Sequence, residues 1–158
     1  MGDRVSIQFQ DPDGEKSVAL FHHWGGRWFA HFTAAWYIGY KKSVKQEVGL
    51  SQGTPVTRCE ARNVLVQYIS QLSKFRNLRG LVGFNSDNGP VYSDVFLSHS
   101  LYLGKDERDG DNSDNGAYII RTDTCELSNE HGEIIEVIAP EIIVNSQKKN
   151  DVEEKVEF

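Results

Sequence analysis

The apolar period of this chain first changes at Gly25–Gly26, and that change constrains the fold more than any other feature. Before it, "RVSIQF" alternates, so Val5, Ile7 and Phe9 share one face of a strand. "DPDG" (Asp11–Gly14) then makes a turn, because Pro12 presets φ and Gly14 accepts a positive φ. "KSVALFHHW" returns as the second strand, with Val18, Leu20 and His22 facing one way and Ala19, Phe21 and His23 the other. After the glycines, Phe29, Phe32, Trp36, Tyr40, Val44 and Val48 recur at spacings of three and four. That spacing predicts one helix over about Arg27–Val48. A hairpin and an amphipathic helix so close in sequence must bury their apolar faces against each other.

The remaining chain repeats both kinds of signal. "GLSQGTPVT" reads as a loop, and a second helix is expected over about Arg58–Phe75, with Val64, Tyr68, Leu72 and Phe75 as its stripe. "GLVGF", "PVYSDVFL", "SLYLG", "AYIIRT" and "GEIIEVI" read as short strands. The expected fold is α+β: a mainly antiparallel sheet with two helices packed on one face, in the order ββαα followed by several strands. A length of 158 residues suits one domain, placed at 1–144. The charged stretch 145–158 is expected to be a mobile tail.

Charge is unevenly spread. From Arg27 to Arg79 there are nine Lys or Arg against two Glu, a balance of +7, whereas 81–158 holds six basic against seventeen acidic residues, a balance of −11. A basic layer beside an acidic one can steer a small anionic ligand or a protein partner, or simply join two halves of one fold. The overall charge of −6 argues against general DNA binding. Apolar runs are too short to span a bilayer, and no secretory pattern opens the chain. Cys59 and Cys125 stand 66 positions apart with no C-x-x-C, which favours two thiols in a reducing compartment and a cytoplasmic location.

Two stretches concentrate residues with chemical potential. In "HHWGGRWF", two glycines before a helix expose backbone N–H groups where an anion can sit, and Arg27 stands beside them. His22, Trp24, Gly25, Gly26 and Arg27 are therefore candidate ligand-binding residues. His23 is the candidate general base, and His31, His99 and His131 are possible companions in a zinc set. The bland alternative is a strand-to-helix turn with core aromatics and one packed histidine. The stretch lacks the G-K-[ST] ending of a P-loop.

In "LGKDERDGDNSDNGAYII", five carboxylates fall within nine residues, Asp106 to Asp114. Asp106, Asp109, Asp111 and Asp114 are the candidate metal ligands, and Ca²⁺ or another divalent cation the candidate cofactor, because hard cations take oxygen ligands from such loops. Measured against an EF-hand, Asp111, Ser113, Asn115 and Gly116 fall at positions one, three, five and six, but position twelve is Thr122 where Glu is needed. The alternative is a solvated connection rich in turn formers. The pentapeptide "NSDNG" also occurs at Asn85–Gly89, without the flanking acids and followed by Pro90, so turn chemistry is what the two copies share.

Nucleophilic catalysis finds little support, since G-x-S-x-G is absent. Tyr37, Tyr40, Lys41 and Lys42 offer rings and ammonium groups for a nucleotide, though aromatics at helical spacing are more often core.

The pieces "SVALFHHWGG" and "YLGKDERDGDNSDNGAYII" resemble a group of small prokaryotic and viral proteins of unknown function that share an H-W-G-G stretch and a K-D-x-x-D-G-D-N-S-D-N-G run. The resemblance implies that His23, Trp24, Gly25, Gly26 and the run Lys105–Gly116 belong to a shared pattern, and it implies no activity. Three functional expectations follow. The first is a non-catalytic ligand-binding or interaction protein whose site joins the His22–Arg27 turn to the acidic loop. The second is a metal-dependent hydrolase of a nucleotide or phosphoester, with Asp109, Asp111 and Asp114 on the cation and His23 as base. The third is an adaptor that binds a partner through the basic helical face.

Overall fold

The computed structural model describes residues 2–50, 59–75, 80–83, 90–92, 100–138 and 141–144. The first "NSDNG" copy, the end of "PVYSDVFL" and the stretch 145–158 lie outside the described residues.

The elements are β1 (Val5–Gln10), β2 (Ala19–His22), α1 (Gly26–Leu50), α2 (Ala61–Phe75), β3 (Gly80–Gly83), β4 (Pro90–Tyr92), β5 (Leu101–Gly104), β6 (Ala117–Arg121), β7 (Leu127–Asn129), β8 (Ile134–Ile135) and β9 (Glu141–Val144). Six strands form one sheet in the spatial order β5-β2-β1-β6-β7-β8, and β4-β3-β9 form a second. The chain is α+β, but the larger sheet is mixed rather than mainly antiparallel. Its central pair, β1 and β6, runs parallel, with Ser6 opposite Ala117 and Phe9 opposite Ile120. Local periodicity cannot encode this direction, because a strand alternates in the same way whichever way its neighbour runs. Strands β7 and β9 are additions to the sequence reading, and α2 begins at Ala61 rather than near Arg58.

Register sorts the side chains. Val5, Ile7 and Phe9 of β1, Leu20 of β2, Ile120 of β6 and Leu127 of β7 fall on one face. They meet Phe29, Phe32, Trp36 and Tyr37 of α1 and Val64, Leu65, Tyr68 and Leu72 of α2 in one buried cluster. Phe9 lies at its centre, with ring centroids 5.6 Å from Tyr37, 6.2 Å from Tyr68 and 6.4 Å from Trp36. The first turns of α1 are buried on every side from Trp28 to Tyr37, so the expected single stripe is widened, and Tyr37 is more deeply buried than Tyr40. Val18 departs from the expected alternation. It is exposed because Ser17 turns inward, where its hydroxyl accepts from Phe9 N–H at 3.0 Å.

The reverse face of the sheet is covered differently. Phe21 stacks on Tyr102 at 5.0 Å with ring planes 6° apart. The acidic loop between β5 and β6 lies over them. Its Gly110 approaches Phe21 so closely that a Cβ there would stand 2.7 Å from the ring. Asn112 donates to the Ser6 hydroxyl at 2.9 Å, and the Tyr102 hydroxyl accepts from Asp111 N–H at 2.9 Å.

Candidate ligand-binding site

The strand-to-helix turn forms because two glycines are sterically required there. A Cβ on Gly25 would stand 2.8 Å from both the His22 ring and Phe29 Cβ, and Gly26 has φ +62°. His22 is buried, packed edge-on to Phe29 at 4.8 Å, and its Nδ1 accepts from Trp24 N–H at 3.1 Å. It is a core histidine. His23 points to the other side, half-buried, with its ring 4.6 Å from that of Trp24, which is exposed. Arg27 is exposed and lays its guanidinium 4.5 Å over the Trp28 ring.

The acidic loop divides into two parts. Asp106 and Asp109 close turns of the loop itself, since Asp106 accepts from Arg108 N–H at 2.9 Å and Asp109 from Lys105 N–H at 2.8 Å. Asp111 and Asp114 turn instead toward the N-terminal residues. The Arg4 guanidinium lies 2.8 Å from Asp111 Oδ2 and 3.8 Å from Asp114 Oδ2, and Arg4 N–H donates to Asp114 at 3.0 Å. Bonds from the Ser113 hydroxyl and N–H, then the charges of Arg4 and His23, hold the Asp111 carboxyl below its ordinary value.

Asp3 completes the junction. Its N–H donates to the His23 carbonyl and its own carbonyl accepts from Gly26 N–H, each at 2.8 Å. Its carboxylate accepts from Asn115 Nδ2 at 2.7 Å and lies where a Gly26 Cβ would clash, 2.5 Å away. Asn115 N–H in turn donates to the Arg4 carbonyl at 3.0 Å. The His22–Arg27 turn and the Asp111–Gly116 stretch therefore meet, through two residues that sequence reasoning passed over. Asp3 and Arg4 carry no local signal, because Arg4 and Asp114 stand 110 positions apart. The arrangement has a clear electrostatic character. A carboxylate already faces the helix N-terminus where an anion was expected, and a guanidinium lies between two of the expected metal ligands.

Among the described residues, no three His, Cys, Asp or Glu side chains group as a metal-binding set. His31 lies under Ile138, whose N–H it accepts at 3.2 Å, and His131 sits beside Glu130 at 3.7 Å. His99 lies outside the described residues. A groove of about 530 Å³ borders the loop, lined by Glu107, Arg108, Gly110, Asn112, Glu130 and His131. Tyr37 is in the core, and Lys41 donates to the Thr122 and Asp123 carbonyls, so this pair is engaged inside the fold. Among the described residues no helix is long and apolar enough to cross a membrane. No protein-family model, curated protein or solved structure matches this chain.

Proposed function

We propose that this chain is a non-catalytic binding protein, and that its site is the surface where the His22–Arg27 turn and the acidic loop meet around Asp3 and Arg4. The ligand or partner group it favours is positively charged and would replace Arg4 on Asp111 and Asp114, with a divalent cation as the simplest probe. The observation that carries this reading is the joining of the two stretches: Asp3, Asp111 and Asp114 bring three carboxylates to one surface, where the Arg4 guanidinium engages two of them. Trp24 stands exposed on the same turn and offers a ring face to a cationic or planar group.

The test is a thermal melt in EDTA and then in millimolar Ca²⁺, Mg²⁺, Mn²⁺ or Zn²⁺. A cation at a hundredfold its dissociation constant adds about 2.7 kcal/mol, which for a chain of this size is on the order of 5–10 °C. The expected result is such a shift with at least one cation, abolished by Asp111→Ala. No shift with any of the four, or a shift untouched by Asp111→Ala, overturns the assignment.

The position of His23, half-buried on the turn that Asp3 and Arg4 join to the acidic loop, supports a second reading, a metal-dependent hydrolase of a nucleotide or phosphoester with His23 as base. His23→Ala separates the two. A binding protein keeps its cation-induced shift in that variant, whereas a hydrolase keeps the shift and loses turnover.

A further inference from the structure

Cys59 and Cys125 stand 66 positions apart in sequence, yet the fold brings the segments that carry them to one place. The Asp11 carboxylate makes the join. Its Oδ1 accepts from Ala61 N–H at 2.9 Å, at the start of α2, and from the Thr122 hydroxyl at 2.8 Å, at the end of β6. Tyr37 of α1 reaches the same point, and its hydroxyl donates to the Thr122 carbonyl at 2.7 Å. Cys59 lies two residues before Ala61 and Cys125 three after Thr122, and both are half-buried against the core cluster. Burial, then Cys59, then Cys125, push the Tyr37 hydroxyl up, so the phenol stays protonated beside both sulfurs. Among the described residues, Cys125 alone of the non-glycine residues has a positive φ, 64°, and its N–H donates to the Arg121 carbonyl at 2.9 Å. L residues seldom adopt that conformation, and here it belongs to the cysteine of the β6–β7 turn.

We propose that Cys59 and Cys125 form a redox modification site, a dithiol that closes to a disulfide when a small disulfide reaches it. One cysteine attacks as its thiolate and expels one thiolate of the small disulfide, leaving a mixed disulfide. The other cysteine then attacks the protein sulfur of that bond and expels the second small thiolate. The two cysteine protons end on the two released thiols. The cysteines give up two electrons in total and the small disulfide takes them. The closed form would tie Cys59, two residues before α2, to the β6–β7 turn. A pair of this kind is a transient device in a reducing compartment rather than a permanent staple. It stands on the opposite chemistry from the acidic surface and does not depend on that assignment.

The experiment treats the full chain with oxidised glutathione under native conditions, and in urea as a reference. Mass spectrometry then reads attached glutathione and any cross-linked peptide containing both cysteines. The expected result is loss of both thiols with no glutathione retained, a Cys59–Cys125 peptide, and faster closure in the folded chain than in urea. Closing a loop of this length should raise the melting temperature by on the order of 5–15 °C. Cys59→Ser and Cys125→Ser should each stop at one retained glutathione. Wild-type chain that keeps glutathione without an internal cross-link, cross-links only between molecules, fails to react, or closes no faster folded than unfolded overturns the proposal. The wild-type measurement decides the matter even if either variant folds poorly.

Discussion

His31 is a buried imidazole whose Nδ1 accepts from Ile138 N–H, so only its neutral form fits the bond it makes. Burial, then the Arg27 charge, lower its pKa from the ordinary histidine value. The sign follows from proton counting. Between the lowered folded value and the unfolded value near 6.5, the unfolded chain holds a proton that the folded chain does not. Stability is therefore full above that unfolded value and falls as pH drops through the window below it, by at most about 1.4 kcal/mol per pH unit. Urea midpoints measured from pH 7.5 to 5 should show this slope in the wild type and lose most of it in His31→Gln. An unchanged slope in the variant would reassign it elsewhere. Asp111 and Asp123, whose carboxyls are held down by Ser113 and by Arg121, act in a separate and more acidic window. At this scale the sequence separated His22 from His23 correctly, because neighbours in a strand face opposite ways. It did not single out His31, whose burial depends on a segment more than a hundred positions away.

The acidic loop is the element whose role changes most between sequence and structure. Read locally, its carboxylates look free for a cation. In the fold, two of them close its own turns, two engage Arg4, and the loop as a whole covers Phe21 on the reverse face of the sheet. Gly110 is the position where this cover is tightest. Gly110→Ala would push a methyl to 2.7 Å from the Phe21 ring, so either the loop lifts or the ring turns. Overpacking of this kind costs about 1–3 kcal/mol. A urea titration should show the midpoint falling accordingly, and a wild-type midpoint would mean that the loop does not seat on Phe21. The second "NSDNG" copy keeps its turn chemistry here, with Gly116 at φ +84° and its N–H donating to the Asn112 carbonyl at 2.7 Å.

Across the whole molecule, the helices and the sheet meet at Phe9, while the chain's start and its acidic loop meet at Arg4. The two junctions differ in strength for a physical reason. Phe9 is fully buried among three other rings, and Phe9→Ala should cost about 3–5 kcal/mol in transfer and cavity terms. Arg4 is a partly exposed ion pair, so Arg4→Ala should cost about 1 kcal/mol or less, and less still in high salt. Urea denaturation of both variants at two salt concentrations checks the ranking. Equal losses would mean that the N-terminal junction holds more of the fold than its exposure suggests.

The sequence by itself determined the period of each major element, the site of the strand-to-helix turn and most aromatic residues of the core, with Tyr37 the exception. These rest on interactions within a few residues, where sterics and side-chain spacing act directly. Only the tertiary structure decided that β6 runs parallel beside β1, that Asp3 and Arg4 bind the turn to the loop, and that Asp11 and Tyr37 draw the start of α2 to the end of β6. Each of these joins residues far apart along the chain. A strand has the same alternation beside either kind of neighbour, and a carboxylate reads the same whether its counter-charge is a dissolved cation or an arginine over a hundred positions away. The choice is made when the apolar faces close on one another and bring those distant groups within reach.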